Sequence, residues 1–387
     1  MQGRFTHLRL GNWRNFQTVD VSLQSRVFVV GPNAAGKSNL LDAFRFLQEL
    51  AIQGGGLVNA LQGSNRGGIR AVRSLHSRSN SDVMLSVTAE VDDEPWMYRL
   101  VLEADGTSQK PGPARVAEER VEHNGKVVLS RPNAADKADP ELLLATALEQ
   151  SSTNASFRAL RDFLRSAEYI HVVPQLVRMP SQGDARRFGK GLGTGLIAAM
   201  GDVTKKTRDG RLKRIQKALK TVLPQFEALE WFQDNKGIPH IRAKYKHWRP
   251  KGAWQQESTF SDGTLRLIGL LWYLDEAGGP LLLEEPEMSL HPAAVRQLPR
   301  ILANVAARNT RQVIMTSHSA DLVADTGIDP SELLVLRTTG SETTVTVGSD
   351  LQELREAAEA DMPLATHVEA LTRPEEYAQL ALFGAKT

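Results

Sequence analysis

Cysteine is absent from the 387 residues, which excludes disulfides and thiolate metal sites and fits a reducing compartment. No stretch approaches the roughly 18 consecutive apolar residues that a membrane-spanning helix requires. Met1-Gln2-Gly3-Arg4-Phe5 lacks the apolar core of a secretory signal. The expectation is a cytoplasmic protein with no membrane partner. An excess of one charge is missing too: the formal net charge is only +2, so any basic surface must be local. There is no internal repeat, and no sustained heptad pattern that would build a coiled coil. What remains is ordinary for a globular chain, 41% hydrophobic and 24% charged, and its length suggests about two or three domains.

Against this plain background one stretch stands out. Gly31-Pro32-Asn33-Ala34-Ala35-Gly36-Lys37-Ser38 matches the phosphate-binding loop G-x-x-x-x-G-K-[ST]. Val27-Phe28-Val29-Val30 before it reads as a buried strand. Leu40, Ala43, Phe44, Leu47 and Leu50 after it recur at helical spacing. A loop between strand and helix can wrap an anion with backbone N–H groups and the helix N-terminus. Lys37 supplies charge for the β- and γ-phosphates of a nucleotide, and Ser38 a hydroxyl for Mg²⁺. Asn33, Ala34, Ala35, Gly36, Lys37, Ser38 and Asn39 are therefore the candidate nucleotide contacts, with Mg²⁺ the implied metal.

Upstream, 5–10 and 19–23 read as strands around a turn at Gly11-Asn12. Between them, Arg14 or Phe16 could stack on a base, or the segment could be an ordinary turn. Residues 53–81, rich in Gly, Ser, Asn and Arg, read as an ordered loop over the nucleotide or a flap. Alternation over 82–91, 96–103 and 115–130, with a turn at Asn124-Gly125, predicts an antiparallel β layer. A helix is expected over 141–164, broken near 151–154. A loop over 180–195 carries Arg186, Arg187 and Lys190. Leu212, Ile215, Leu219 and Val222 predict an amphipathic helix over 211–223, followed by strands at 226–232 and 238–248.

The last third holds more chemistry. Ser261-Asp262-Gly263 precedes a helix over 265–274, where Ser261 could simply cap it or could also bind phosphate. The apolar strand 280–285 ends in Glu284-Glu285, at a sheet edge where ligands bind in open α/β folds. Glu284 suits Mg²⁺, directly or through water. Glu285 suits orienting or deprotonating an attacking water. His318 follows another buried strand, where it could contact phosphate or that water. Pro299 should kink or end the helix that starts near Pro292. A closing hairpin, a short helix and a polar tail follow.

Together, 31–38, 260–264, 281–285, Ser289-Leu290-His291-Pro292 and 316–319 resemble the ATP-binding-cassette ATPases. The chain is most similar to the SMC/RecF/OLD branch, and within it to stand-alone AAA_21-type ATPases. The resemblance covers roughly residues 1–70 and 255–340. It implies an α/β P-loop NTPase head of ABC type, with an N-terminal antiparallel β layer and a helical and β insert. The head would be 1–130 and 250–350, the insert 131–249, and 351–387 a C-terminal helix and tail. The resemblance also implies a homodimer, or a higher assembly, around ATP and Mg²⁺. Ser261 and Gly263 would be the signature motif acting on the partner's γ-phosphate, Ser289 to His291 the D-loop and His318 the switch histidine. Two departures are visible: Ser-Asp-Gly replaces Ser-Gly-Gly, and Glu284 replaces the usual Asp. No Q-loop glutamine is assigned; Gln48 and Gln53 fall too early.

The stretch after His318 is short for the nuclease domain of OLD proteins, which implies an ATPase acting on a separate effector. The resulting expectation is an ATP-hydrolysing switch coupled to DNA or an effector protein, in antiphage defence or DNA repair. The alternative is an ATP-bound scaffold that sequesters a toxic partner with little turnover; a transporter subunit fits the long insert poorly. Two basic stripes, Lys213/Lys217/Lys220 and Arg242/Lys244/Lys246 with Trp248, point to DNA or RNA, or else to an acidic protein or a merely solvated face.

Overall fold

Apolar–polar alternation and buried β-branched runs build two kinds of sheet in this chain. The computed structural model describes residues 2–52, 54–63, 66–75, 82–106, 111–179, 190–246, 253–309, 311–339 and 342–373. They divide into two compact units. Met1–Glu168, Gly278–Leu282 and Ala306–Thr387 form the first, and Tyr169–Ala277 with Leu283–Val305 the second. Relative to the expected head and insert, residues 131–168 fall with the first unit, and 250–277 and 283–305 with the second.

The first unit contains a six-stranded sheet in the order Phe16–Ser22, Gly3–Trp13, Val83–Val91, Glu94–Gly106, Pro111–His123, Lys126–Arg131. Its neighbours pair antiparallel, as the alternation predicts. The Asn124-Gly125 turn has φ of 51° and 72°, the left-handed pair that a tight hairpin turn requires. The first hairpin turns later than expected. Gly11 and Asn12 lie inside the first strand, and Trp13 pairs with Phe16 across Arg14-Asn15. Trp13 and Phe16 are both fully buried, so extending the strands to seat them outweighs turning at the glycine. Arg14 takes φ 55°.

A second six-stranded sheet runs Glu342–Val347, Leu333–Thr339, Arg26–Val30, Val313–Ser317, Leu281–Glu284, Glu168–Ile170. Arg26–Val30 pairs parallel with Val313–Ser317 and with Leu333–Thr339. Leu281–Glu284 starts in the first unit, and its last two residues belong to the second. The Lys37–Ala51 helix buries Leu40, Leu41, Phe44, Leu47 and Leu50, with the Phe44 and Phe163 rings tilted against Phe5 at centroid distances of 4.9 and 4.8 Å. Gln312 ties the two sheets: its carboxamide accepts from Phe5 N at 2.8 Å and donates to the Phe5 and Gln24 carbonyls.

The helix expected over 141–164 forms as α-helix at its end, Arg158–Ser166, with short 3-10 turns at Pro140–Leu144 and Ala155–Phe157. Upstream, backbone N–H groups are captured by carboxylates: Thr146 N donates to Glu149 at 2.6 Å, and Ala147 N and Leu148 N donate to Glu119. Side-chain acceptors here outcompete helical carbonyls. Glu119, fully buried, also accepts from Tyr98 Oη and Arg131, and Arg131 forks onto Asp136. Arg131's hydrogen bonds hold the Asp136 carboxyl below the usual carboxylate range. Residues 53–81 hold short helical turns at Gly56–Val58, Asn59–Gly63 and Ile69–Val72. Among the described residues after 350, two helices form, Gln352–Glu359 and Ala365–Thr372.

The second unit carries a three-stranded sheet, Ala253–Gln256, Pro239–Tyr245, Phe226–Gln233. Its longer helices include Lys205–Val222, which buries Leu212, Ile215 and Leu219, and the largely buried Asp262–Leu274. The sequence conflict at Pro299 is resolved by a break. One turn, Pro292–Val295, ends, and Leu298–Asn309 restarts with Pro299 as its second residue, where a missing N–H costs nothing. Trp248, Arg186 and Arg187 lie outside the described residues.

Candidate nucleotide-binding site

Four buried residues, Val27 to Val30, deliver the chain to Gly31. The loop passes so close to the Leu333–Thr339 strand that a Cβ on Gly31 would lie 2.9 Å from Leu336 Cβ. Gly36 takes φ 94°, and a Cβ there would sit 2.3 Å from the Asn15 carboxamide nitrogen. Both glycines are thus required, the second by space as well as by its left-handed backbone. Gly36 also begins the Lys37–Ala51 helix without a side-chain cap, which leaves the helix N-terminus open to an anion. Asn33, Ala34 and Ser38 are exposed, whereas Lys37 is buried and donates to the Gly31 and Pro32 carbonyls, each at 3.0 Å.

Sequence reasoning missed the residue that holds this loop. Asn15 Nδ2 donates to Ala35 O and Thr343 Oγ1, each at 3.0 Å, and Asn15 Oδ1 accepts from Asn39 Nδ2 at 2.8 Å. Trp13 Nε1 adds a bond to Asn39 O at 2.8 Å. Arg14, the candidate base contact, donates to Asp42 at 3.1 Å. Asp42 also binds buried Arg66, which reaches Glu49 and the Ala60 carbonyl. His318 is exposed at the end of Val313–Ser317.

In the second unit, Ser261 caps the Asp262–Leu274 helix, accepting from Thr264 N at 3.3 Å. Capping leaves the serine exposed, whereas Gly263 packs under the backbone of Ser289: a Cβ there would lie 2.4 Å from Ser289 O. Arg178 donates to Phe260 O at 2.7 Å and to Asp262 Oδ1 at 2.6 Å, and Gln175 reaches Asp262 Oδ2 at 3.4 Å. At the strand end, Tyr169 Oη donates to Glu284 Oε2, and His171 Nδ1 lies 3.2 Å from Glu284 O. Glu285 at φ 40° and Ser289 at φ 63° are left-handed non-glycine residues, a conformation that clusters at functional turns. Arg266, 8% exposed, leaves Nε and Nη1 without a hydrogen-bond partner among the described residues. Burial pushes its pKa down from the usual guanidinium range, against the pull of Asp262, Glu287 and Glu285.

The donor chemistry fits a nucleotide phosphate and Mg²⁺. A cradle that a Cβ would fill, an uncapped helix N-terminus and Lys37 suit phosphate. In the first unit the Ser38 hydroxyl, and separately in the second the Glu284 carboxylate, are each hard oxygen donors of the kind Mg²⁺ takes.

The basic stripes fare differently. Lys213, Lys217 and Lys220 are exposed on the Lys205–Val222 helix, opposite its buried face. The strand stripe is largely neutralised: Arg242 pairs with Glu230 at 3.0 Å and Lys244 with Glu227 at 3.2 Å, both from the adjacent strand. Cross-strand acids, invisible in the alternation, cancel that charge. Arg242 also covers the Trp254 ring at 4.6 Å.

The family described as "AAA domain, putative AbiEii toxin, Type IV TA system" matches residues 26–325. No curated protein matches the chain. Among solved structures, the chain is similar to an Smc head bound to the C-terminal winged-helix domain of ScpA, with a TM-score of 0.56 and 13% identity over 88% of this chain and 97% of that one. It is also similar to the Smc head domain with an extended coiled coil bound to the C-terminal domain of ScpA, derived from Pyrococcus furiosus, with a TM-score of 0.54 and 12% identity over 92% and 99%. No helix among the described residues is long and apolar enough to cross a membrane. The chain belongs to the AAA_21 family, and its α/β fold is that of a P-loop NTPase of the SMC-head type.

Proposed function

We propose that this chain binds and hydrolyses ATP with Mg²⁺, and that it dimerises to do so. The observation that carries the reading is the cradle at 31–38, whose backbone is fixed by Gly36 and Asn15. Lys37 and the loop N–H groups hold the β- and γ-phosphates, and Ser38 and Glu284 hold Mg²⁺. When bound, the metal neutralises charge on the phosphate oxygens. Glu285 orients the attacking water and accepts its proton. His318 steadies the γ-phosphate or that water. Ser261 and Gly263 act on the ATP of a second copy. Glu285→Gln should retain ATP binding yet lose about 10²–10⁴-fold in turnover, and Lys37→Ala should lose binding itself. Turnover near wild type in Glu285→Gln would sink the assignment. Mixing Lys37→Ala with Ser261→Arg chains should restore one working site per heterodimer; no recovery in proven heterodimers would exclude action in trans.

The nucleotide state is read out by DNA or by a separate effector protein, in antiphage defence or DNA repair. Support comes from the exposed lysines of the Lys205–Val222 helix and from a matched family whose description names a toxin–antitoxin system. That description also supports the second reading, an ATP-bound scaffold restraining a toxic partner. ATP binding with negligible turnover by the wild-type chain would favour it.

A further inference from the structure

The segment 169–178 touches both chemical ends of the second unit. At its start, Tyr169 Oη donates to the Glu284 carboxylate and His171 Nδ1 lies 3.2 Å from the Glu284 carbonyl. At its end, Arg178 grips Phe260 O and Asp262 Oδ1, the residues on either side of Ser261. Between these contacts the segment has little freedom. His171 N and Val173 N donate to Gly191 O and Leu192 O at 2.7 and 3.1 Å. A Cβ on Gly191 would collide with Tyr169 O at 1.7 Å. The Val172 methyls press on Gly269 of the Asp262–Leu274 helix, where a Cβ would lie 3.1 Å from each. The segment is therefore clamped at its middle and bonded at both ends.

This arrangement also accounts for Asp262, where Ser-Gly-Gly would place a glycine. Its carboxylate is the anchor for Arg178 and Gln175, so the acid belongs to the support of the turn. We propose that 169–178 is a positioning strap that joins the metal-side carboxylate to the signature turn, with Tyr169 and Arg178 as its working ends. The inference rests on the reading above that Glu284 faces Mg²⁺ and Ser261 faces a phosphate. Neither Tyr169 nor Arg178 touches the reacting atoms; they act through Glu284 and Ser261.

The test measures hydrogen exchange at the amides of 262–266 in the full chain, alongside ATP affinity and turnover. Arg178→Gln should speed that exchange about tenfold by loosening the cap. It should lower kcat about tenfold while leaving ATP affinity within about twofold. Combining it with Asp262→Asn should cost clearly less than the sum of the two, since the Arg178–Asp262 ion pair is lost in both. The reversed pair, Arg178→Asp with Asp262→Arg, should restore slow exchange, which guards against simple misfolding. Tyr169→Phe decides the strap. It should raise the Mg²⁺ needed for half-maximal turnover, and it should also speed exchange at 262–266 about threefold, although the bond it loses is the one to the Glu284 carboxylate. Unchanged exchange there in Tyr169→Phe overturns the strap, whatever Arg178→Gln does. Absence of ATP binding by the wild-type chain would overturn the proposed function, while the exchange comparison would still decide the strap.

Discussion

Asn15 grips Ala35 from outside the phosphate loop, its carboxamide nitrogen 3.0 Å from the Ala35 carbonyl. The same side chain takes a bond from Asn39 beyond the loop, so one residue spans both flanks of the lysine. Asn15→Ala removes three hydrogen bonds that hold the cradle. At a net of about 1 kcal/mol each, part of it recovered by water, ATP affinity should fall about tenfold or more. A nucleotide titration with a thermal melt checks this; unchanged affinity would remove Asn15 from the site.

Gly36→Ala should be more severe. The new methyl meets the Asn15 carboxamide, and the left-handed backbone adds roughly 1–2 kcal/mol for any residue with a Cβ. ATP binding should drop by about 100-fold or more. In the Asn15→Ala background the clash is gone and the backbone cost remains, so Gly36→Ala should then cost only about 10-fold. Equal losses in both backgrounds would show that space plays no part.

The loop itself was legible because its chemistry is local. Glycine spacing, a β-branched strand and a helical stripe are fixed by neighbours in sequence. Its clamp was not, since Asn15 sits in a hairpin turn displaced by the burial of Trp13 and Phe16. The Arg178–Asp262 bond joins residues far apart in sequence, so the sequence shows only an unexplained acid between Ser261 and Gly263. The pairing of the strand stripe was hidden for a similar reason: alternation shows where Arg242 and Lys244 point, and pairing register decides that Glu230 and Glu227 meet them. Over 141–164, helical propensity was real but lost to carboxylates supplied by Glu119 and Glu149.

Asp136 gives the β layer a pH signature. Its folded pKa lies below the unfolded value because of Arg131. The stability it contributes is present above its unfolded pKa and is lost as pH falls through the folded one. Asp136→Asn should cost about 3 kcal/mol at pH 7, the scale of breaking a buried pair. The variant should also lose stability less steeply than wild type below about pH 4. Denaturant melts across pH check both; parallel curves would show that Asp136 carries no such linkage.

Lys213, Lys217 and Lys220 predict a salt-sensitive surface. If they neutralise phosphates of duplex DNA, the logarithm of affinity should fall with the logarithm of salt at a slope near −0.9 per contact. Replacing all three with Glu should abolish that binding and leave basal ATPase intact. Arg242→Ala should matter little, because Glu230 already holds that charge. A protein that shows no salt-dependent binding to duplex or single strand, with ATP and Mg²⁺ present, would assign the helix to a protein partner.

The bond from Asn15 to Thr343 has a consequence for the order in which this protein comes into being. Asn15 leaves the ribosome hundreds of residues before one of its anchors. Leu336, which backs Gly31, is equally late. During synthesis the nucleotide loop is made early and stays unfinished, because contacts that set its shape lie hundreds of residues away along the chain and are slow to close. A nascent chain halted before residue 336 should therefore ignore ATP even though every residue of the loop is already outside the ribosome. Competence to bind would arrive abruptly, with the last strands.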